Sequence, residues 1–455
     1  MVPIVTPEEM RAVDEAAPEP VEVLIGRAGA AVARHALELL GGGYGRVVHV
    51  LAGGGNNGAD GRDAAERLRR RGVRAHVHDV ADAPAELLGA DLVIDAAFGT
   101  GYRPDPERPW SAPEVGGTPV LAVDVPSGVD ALTGATTGRV LSAVRTVTFQ
   151  ALKPGLLLGD GAGVAGDVRV VDLGLDVSGA TRHLVGADDV ATWWPRRDHD
   201  AHKWHGAVKA IAGSAAMPGA AELCTAAAAR AGAGLVSLSS PGATPSTRSE
   251  VVQVPVPASG FVDAALDDVD RFGALVVGPG LGRDEGVLEA VRGCVSTAPV
   301  PVLVDGDAIT AVAGAPGGAA ALLAGRGAPT VLTPHDGEFR TLTGDAPGAD
   351  RFAAVAAAAG ELGACVLLKG PTTIVAEPGG AALAVRSGDE RLATAGSGDV
   401  LSGIVAALLA LGLEPARAAA AGAWIHGRAA ELGPSRGLLA GDLIELLPLA
   451  IGGLG

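Results

Sequence analysis

Short apolar runs that end in a glycine or an acidic residue, and that alternate with helical segments, constrain the fold of this chain most. Residues 46–52 (RVVHVLA) are typical of a buried strand, and they lead into a glycine-rich turn, a helix and a second strand at 73–80. A strand–helix–strand unit of this kind places its two strands parallel in one sheet. The same alternation resumes at Ala207, so the sequence predicts an α/β fold in both halves.

The length of 455 residues favours two domains, because a single hydrophobic core rarely grows to that size. Residues 193–206 (WWPRRDHDAHKWHG) interrupt the α/β alternation with paired tryptophans, a proline and mixed charge. We therefore predict domains at 1–195 and 200–455. His199, His202 and His205 fall three apart in this stretch, but without a cysteine partner or a predicted helix a solvated linker is favoured over a metal site.

Charge and cysteine content narrow the class of protein. The formal net charge of −17 argues against a general nucleic-acid binder, which needs a positive surface. The three cysteines are scattered and form no CxxC pair, so we expect reduced thiols and a cytoplasmic protein. The N-terminus lacks the pattern of a signal peptide, and the longest apolar run, 403–413, is too short to span a bilayer. No membrane partner is predicted, and the many apolar helices leave a homo-oligomer open.

Polar residues follow several strands of the first half. Residues 92–101 (LVIDAAFGTG) end a strand in Asp95 and enter a glycine turn, and residues 119–130 (PVLAVDVPSGVD) end another strand in Asp124 before Ser127. Because ligand sites collect at the carboxyl ends of parallel strands, we expect these loops to converge with the glycine-rich segment 53–61. One helix is predicted over 6–40, with Thr6 at its N-cap.

The segment 53–61 (GGGNNGADG) satisfies G-x-G-x-x-G, which alone would indicate a dinucleotide fold. Asn56, Asn57 and Asp60 nevertheless supply more polar side chains than a pyrophosphate turn requires. They suggest contact with a hydroxylated ligand or coordination of a cation through oxygen.

The stretch 393–404 (ATAGSGDVLSGI) is the strongest chemical signal in the second half. Glycines followed by a helix start leave backbone N–H groups unpaired, and these donors with the helix dipole favour an anion such as phosphate. Asp399 places a carboxylate beside this anion site, where it could take a proton from a substrate hydroxyl. The plainer alternative is that Asp399 only caps its helix.

Two groups of motifs resemble known families. GGGNNGADG, DAAFGTG and DVPSG, in this order over about residues 1–190, resemble the YjeF N-terminal domain, the NAD(P)HX epimerase family. The resemblance implies a Rossmann-like domain, Asp124 as the epimerisation acid/base, and a potassium ion at Asn57, Asp95 and Ser127. The residues that it implies for NAD(P)HX binding are Asn56, Asn57, Gly58, Ala59, Asp60, Gly99, Thr100, Gly101 and Asp124, with contacts extending to Asp105. Gly54 and Ala59 depart from the family pattern, which usually has proline and glycine there.

The motifs GPGLG, VDGDAI, TPHDGEF, LKGPTT and AGSGDVLSG, over about residues 200–450, resemble the ADP/ATP-dependent NAD(P)HX dehydratase family, whose fold is ribokinase-like. Gly306 and Ile309 are mild departures from its pattern. The resemblance implies Asp399 as the catalytic residue and a co-substrate ADP or ATP with Mg2+. The residues that it implies for NAD(P)HX are Ala221, Gly280, Gly282, His335 and Asp399, and those for ADP or ATP are Lys369, Gly370, Pro371, Thr372, Thr373 and Gly398.

The two resemblances together predict a fused enzyme, part isomerase and part hydro-lyase, that repairs hydrated reduced nicotinamide cofactors. The first domain would interconvert the R and S forms of NADHX and NADPHX, and the second would dehydrate the S form back to NADH or NADPH. The alternative is a ribokinase-like small-molecule kinase with an N-terminal binding or scaffold domain.

Overall fold

The computed structural model describes residues 1–197 and 199–454. Asp198, within the predicted linker, and Gly455, at the end of the predicted second domain, therefore lie outside the described residues. The chain divides into two compact units, one formed by Val2–Arg182 and the other by Met1 and the chain from His183 onward. The division falls before the predicted linker.

The first unit is a parallel sheet with helices. Its elements in chain order are β1 (Val2–Ile4), α1 (Pro7–Glu15), α2 (Val21–Leu40), β2 (Val47–Ala52), α3 (Asn56–Arg70), β3 (Arg74–Asp79), β4 (Leu92–Ala96), β5 (Val120–Val123), β6 (Arg145–Phe149), α4 (Gly159–Val164) and β7 (Asp167–Val171). The six strands from β2 to β7 form this sheet, in the order β3-β2-β4-β5-β6-β7. Each neighbouring pair in this sheet is parallel.

Alternate residues of the central strands pack into two different cores, as the pleat of a strand requires. Ile94 of β4 and Leu121 of β5 belong to the core that also contains residues of α2 and α3. Val93 and Ala122 belong to a smaller cluster on the opposite face. Since both faces of the sheet are covered, its polar ligand-binding groups lie at the strand ends.

The single helix predicted over 6–40 is wrong, because two helices occupy this stretch. Thr6 caps α1 as expected, and Glu9 completes a capping box with it. The helix ends at Glu15, and α2 begins only at Val21. Pro18 and Pro20 explain the break, since proline lacks the N–H that a helix interior needs and restricts the residue before it.

The second unit contains a longer sheet. From Arg182 onward the elements are β8 (Arg182–Leu184), α5 (Ala187–Trp193), β9 (Val208–Ile211), α6 (Pro218–Arg230), β10 (Val236–Ser239), β11 (Val251–Gln253), α7 (Val262–Leu266), β12 (Ala274–Val277), α8 (Glu285–Thr297), β13 (Val302–Val304), α9 (Asp307–Ala313), α10 (Gly318–Ala324), β14 (Thr330–Leu332), α11 (Asp336–Thr343), α12 (Arg351–Leu362), β15 (Cys365–Leu368), β16 (Thr373–Ala376), β17 (Ala382–Val385), α13 (Ser397–Ala410), α14 (Pro415–Leu432) and α15 (Ala440–Gly452).

The strand order from β8 is β8-β17-β16-β15-β14-β13-β12-β9-β10-β11. The pairs from β11 to β15 are parallel, whereas β15, β16 and β17 pair antiparallel. The strands β15 and β16 thus form a hairpin whose turn follows Lys369. The strand ends that carry Asp305, His335 and Lys369 lie side by side, because β13, β14 and β15 are neighbours.

Helix α13 runs through the core of this unit, and every residue from Val400 to Ala410 is buried. Its close contact with α6 depends on Gly403, where a Cβ would come within 2.1 Å of the Cys224 carbonyl oxygen. The abundant alanine and glycine of the sequence are therefore used to pack helices closely.

Within the described residues, no single helix has both the length and the apolar character needed to cross a membrane. By length and composition alone, the bent pair formed by α9 and α10 meets the requirement.

Candidate active sites

A cavity of about 830 Å³ opens at the strand ends of the first unit. The predicted binding residues on its wall are Asn56, Asn57, Asp60, Gly99, Thr100, Gly101 and Asp124. Two further predicted residues are placed differently. Gly58 packs against the backbone of Gly53, where a Cβ would meet the carbonyl oxygen at 1.9 Å, and Ala59 is not part of the cavity wall.

Helix α3 begins inside the glycine-rich segment, at Asn56, and not after it. Asn57 and Asp60 are consequently one helical turn apart, and both side chains line the cavity. The Oδ1 and Nδ2 atoms of Asn57 are buried and have no hydrogen-bond partner among the described residues. A buried amide without partners costs free energy, so this side chain is well suited to a ligand or ion.

Asp124 lies at the base of the cavity, immediately after β5, with its backbone in the left-handed region (φ 66°). Its Oδ2 accepts the backbone N–H of Thr100 at 2.8 Å and also the hydroxyl of the same residue. Its Oδ1 lies 2.7 Å from the Lys153 ammonium and 3.2 Å from the Thr148 hydroxyl. Few non-glycine residues adopt this conformation, and aspartate is one of the types that tolerate it best.

Lys153 is 1% exposed, and besides Asp124 it donates to Thr148 Oγ1 at 2.9 Å and to the Phe149 carbonyl at 3.0 Å. Burial alone would raise the pKa of Asp124, but the Lys153 ammonium and the Thr100 donors outweigh it and lower that pKa below its ordinary value. Asp124 is thus a carboxylate at neutral pH. Lys153 was not among the residues predicted from the sequence. The signal that distinguishes it is that the sequence contains only four lysines.

Asp60 behaves in the opposite way. Burial, and then the negative charge of Asp124, raise the pKa of Asp60 to about 8. One cavity therefore contains an ionised carboxylate at Asp124 and a protonated carboxylic acid at Asp60.

Asp95 and Ser127 lie together beside this cavity, and both are completely buried. Ser127 donates its backbone N–H to Asp95 Oδ2 at 2.9 Å and its hydroxyl to Oδ1 at 2.5 Å. These partners are neutral, and burial still raises the pKa of Asp95. The expected convergence of the strand ends is confirmed for Asp95, Asp124 and the glycine-rich segment.

In the second unit, the predicted anion site is the start of α13. Gly396 is the N-cap residue with φ 90°, and no side chain caps the helix there. Asp399 lies in the first turn and is not the N-cap, so the plainer alternative of a capping aspartate is not what the structure shows. The N–H groups of Ser397 and Val400 donate to the Thr394 and Gly396 carbonyls, at 3.3 and 3.2 Å, so those of Gly398 and Asp399 are the ones left to bind an anion.

Asp305 and Lys369 form an ion pair next to this helix start. Lys369 Nζ donates to Asp305 Oδ1 at 2.9 Å, and Ser402 Oγ of α13 donates to Oδ2 at 2.7 Å. A Cβ at Gly398 would lie 3.7 Å from Lys369 Nζ, so the ammonium adjoins the anion site. Glu338 Oε2 lies 3.6 Å from the same ammonium.

The charges of this cluster set the protonation of its two aspartates differently. Burial favours the neutral form of Asp305, but Lys369 and the hydrogen bond from Ser402 lower its pKa. Burial and the negative charge of Asp305 raise the pKa of Asp399 to about 7, against the opposing charge of Lys369. An acid with a pKa near neutrality can both accept and release a proton under physiological conditions.

The remaining predicted residues follow the strands β12, β14 and β15, except Ala221, which lies on helix α6. Gly282 donates its N–H to Asp307 Oδ2 at 2.9 Å, and Gly280 packs close to α6. His335 is the N-cap of α11, where Nδ1 accepts the N–H of Gly337 at 2.9 Å, while its side chain is 61% exposed. Ala221 is completely buried on α6. Gly370, Pro371, Thr372 and Thr373 form the turn between β15 and the start of β16, with Thr372 buried.

The second half of the chain, residues 208–448, matches the family model described as NAD(P)H-hydrate dehydratase. The model described as YjeF-related protein N-terminus matches residues 21–88 and 78–155. The bifunctional NAD(P)H-hydrate repair enzyme Nnr of Mycobacterium tuberculosis is 42% identical over 405 residues, which cover 84% of this chain and 82% of that protein. The chain belongs to the bifunctional NAD(P)H-hydrate repair enzymes.

Solved structures agree with this family for the second unit. The ADP/ATP-dependent NAD(P)H-hydrate dehydratase of Bacillus subtilis, co-crystallised with ATP and Mg2+, superposes with a TM-score of 0.50 at 28% identity, over 59% of this chain and 98% of that chain. A ribokinase-like superfamily protein of Enterococcus faecalis, at 21% identity and a TM-score of 0.51 over 60% of this chain and 97% of its own, supports the fold alone. Family membership favours a repair enzyme over a small-molecule kinase with a scaffold domain.

Among residues 1–197 and 199–454, no group of three His, Cys, Asp or Glu side chains is arranged to hold a metal ion.

Proposed function

We propose that the first unit interconverts the R and S forms of NADHX and NADPHX, and that the second dehydrates the S form with ADP or ATP as co-substrate. The observation that supports this division most is that each unit has its own cluster of buried charged groups: Asp124 with Lys153, and Asp399 with Asp305 and Lys369. Such perturbed groups at strand ends are typical of active sites.

For dehydration, the difficulty is that hydroxide is a poor leaving group whereas phosphate is a good one. The free N–H groups at the start of α13 and the Lys369 ammonium would hold the phosphates of the nucleotide, which Mg2+ would accompany. Asp399, on the same helix turn, would take the proton of the substrate hydroxyl as that oxygen is phosphorylated. Its pKa of about 7 suits a group that must gain and lose a proton at each turnover.

For binding, we propose the roles that the sequence predicted: Gly280, Gly282 and His335 for the hydrated cofactor, and the segment 369–373 with Gly398 for ADP or ATP. The exposed part of the His335 side chain leaves Nε2 available to a ligand, because Nδ1 is used in the helix cap. Ala221 is buried and would contribute through its close packing on Gly213, where an added Cβ would lie 2.7 Å from the Ala221 Cβ.

A potassium ion fits the first unit. Asp95 is a completely buried carboxyl group whose hydrogen-bond partners are neutral, and Asn57 has a buried amide oxygen with no partner among the described residues. With Ser127 Oγ these groups form a set of oxygen ligands suited to a hard cation. The ion would neutralise Asp95 and orient Asn57 toward the substrate.

The cytoplasmic location of this protein stays a prediction from the sequence, and a homo-oligomer stays open.

The test is recovery of NADH absorbance from separated R- and S-NADHX, with K+, Mg2+ and either ADP or ATP, measured as initial rates because the epimers also interconvert spontaneously. The wild-type protein should convert both epimers. Asp399→Asn should convert neither, and Asp124→Asn should convert the S form at the wild-type rate but the R form only at the spontaneous rate. If the wild-type protein converted neither epimer, the proposal would be wrong.

A further inference from the structure

Epimerisation at the hydrated carbon poses a proton-transfer problem that one group cannot easily solve. This carbon carries a hydroxyl group and is bonded to the ring nitrogen. One route to inversion is that the hydroxyl leaves from one face, with the nitrogen lone pair assisting, and that water adds to the other face. Departure needs a proton donor, and addition needs a proton acceptor.

The cavity of the first unit offers two carboxyl groups for these tasks, on two different structural elements. Asp124 follows β5, and Asp60 lies in the second turn of α3. Both line the same cavity, together with Thr100 and Lys153. Asp60 is only 7% exposed, yet its carboxyl group makes no hydrogen bond with the described residues.

A buried carboxyl group without a partner is expensive unless it serves a ligand. Asp124 differs, because Thr100, Thr148 and Lys153 satisfy its oxygens. Of these two acids, Asp60 is therefore the one whose carboxyl oxygens are available to a ligand. It lines the cavity that the substrate would fill.

We propose that Asp60 is the general acid of the epimerisation and that Asp124 is the general base. This assignment rests on the proposed epimerase function of the first unit.

The two aspartates have opposite protonation states at neutral pH, as such a pair requires. The charged and titratable groups around Asp60 are Asp14 on α1, Asp63 on α3 and Asp124 after β5, with Lys153 behind Asp124. All three neighbouring acids favour the protonated form of Asp60, and burial contributes most. Lys153 is paired with Asp124 and keeps that group ionised.

The Asp60 carboxylic acid gives its proton to the leaving hydroxyl, the C–O bond breaks with its electron pair going to oxygen, and water departs. The lone pair of the ring nitrogen forms a C=N bond, and the resulting cation lies near the negative charge of Asp124. A water molecule then adds to the opposite face, the C=N electron pair returns to nitrogen, and the proton lost by this water passes to Asp124. Exchange with solvent restores the starting protonation of both acids.

The experiment compares Asp60→Asn with wild type in the full-length protein, using R-NADHX and S-NADHX as separate substrates. Asparagine keeps the shape and can still form hydrogen bonds, but it cannot donate a proton as an acid. We expect epimerisation of the R form to fall at least about 100-fold. Dehydration of the S form by the second unit should be unchanged, which controls for protein quality in the same sample.

A pH profile distinguishes an acid from a merely structural residue. The wild-type epimerisation rate should decline as the pH rises through about 8, because Asp60 then loses the proton that it must donate. This decline should be absent from the residual activity of Asp60→Asn. The matched control is Asp63→Asn on the same helix, whose carboxylate is paired with Arg67 and does not line the cavity. It should stay within a few-fold of wild type.

The possible outcomes distinguish a failure of the proposed epimerase function from a failure of the role assigned to Asp60. If wild type failed to epimerise R-NADHX, the proposed epimerase function would fail first. If wild type were active and Asp60→Asn epimerised at a similar rate with the same decline near pH 8, the role of Asp60 would be refuted. Should Asp60→Asn unfold the first unit, Asp60→Glu would decide, since it retains an acid: a folded Asp60→Glu protein without the alkaline decline would also overturn the assignment.

Discussion

Replacing Lys153 with methionine should destabilise the first unit in a pH-dependent way. The substitution keeps an unbranched side chain of similar length but removes the ammonium that contacts Asp124, Thr148 and Phe149 at 2.7, 2.9 and 3.0 Å. Asp124 would then be a buried carboxylate without a cation. Removing one partner of a buried ion pair typically costs about 3–5 kcal/mol.

For a domain of this size, that cost corresponds to a melting temperature lower by roughly 6–20 °C, at about 2–4 °C per kcal/mol. In wild type the lowered pKa of Asp124 stabilises the fold above the pKa of the unfolded state, and this contribution is lost as the pH falls through the folded-state pKa. In Lys153→Met, only the hydrogen bonds from Thr100 oppose the effect of burial, so the pKa of Asp124 should rise. The difference between the two proteins should therefore be largest at pH 7 to 8 and shrink as the pH falls towards 5.

Differential scanning calorimetry at several pH values measures this difference, with the transition of the first unit followed separately from that of the second. The matched control is Lys203→Met, the same change at an exposed lysine, which should leave both transitions in place. A Lys153→Met protein that melted like Lys203→Met, or whose destabilisation was equal at pH 5 and pH 8, would refute the buried-pair reasoning.

Three further predictions concern packing, the cation and the second active site. Gly53→Ala would place a Cβ 1.9 Å from the Ala97 carbonyl oxygen and should lower the free energy of unfolding, measured by chemical denaturation, by about 1–3 kcal/mol. Gly54→Ala, at a position that faces open space, should be nearly neutral, and equal effects of the two changes would contradict the close packing at Gly53. Exchanging K+ for Na+ should lower the melting temperature of wild type but not of Asp95→Asn, and an identical shift in both proteins would count against the potassium site. The kcat/KM for dehydration should rise as the pH increases through about 7, because Asp399 acts as a base and must lose its proton first. Asp399→Asn should lower kcat by a factor of about 10²–10⁴. A kcat/KM that did not change with pH across this range would indicate another base.

Local sequence patterns were sufficient for much of the fold. The buried strands, the hairpin after Lys369 and the helix start at Ser397 follow from apolar runs and from glycines at their ends, which depend on neighbouring residues alone. The convergence of Asp95 and Asp124 followed from the rule that parallel strands end at one edge. The break between α1 and α2 was also readable from Pro18 and Pro20, but the helical spacing on either side concealed it.

Other features depended on where local segments begin. The glycine-rich segment was interpreted as a loop, yet α3 starts at Asn56 because Gly58 can pack directly on the backbone of Gly53. That start places Asn57 and Asp60 on one helical face. A pattern of residue types cannot reveal this alignment, since it depends on a contact between two backbone segments.

The sequence by itself determined which chemical groups this protein has at its strand ends and at one helix start. Asp95 and Asp124 were identifiable from apolar strands that end in polar motifs, and Asp399 from glycines that precede a helix. Only the tertiary structure decided how those groups are charged. Lys153 reaches Asp124 across 29 residues of chain and keeps it ionised, while burial and the charge of Asp305 raise the pKa of Asp399 to about 7. A pKa depends on burial and on charges nearby in space, and both arise only when distant parts of the chain pack together.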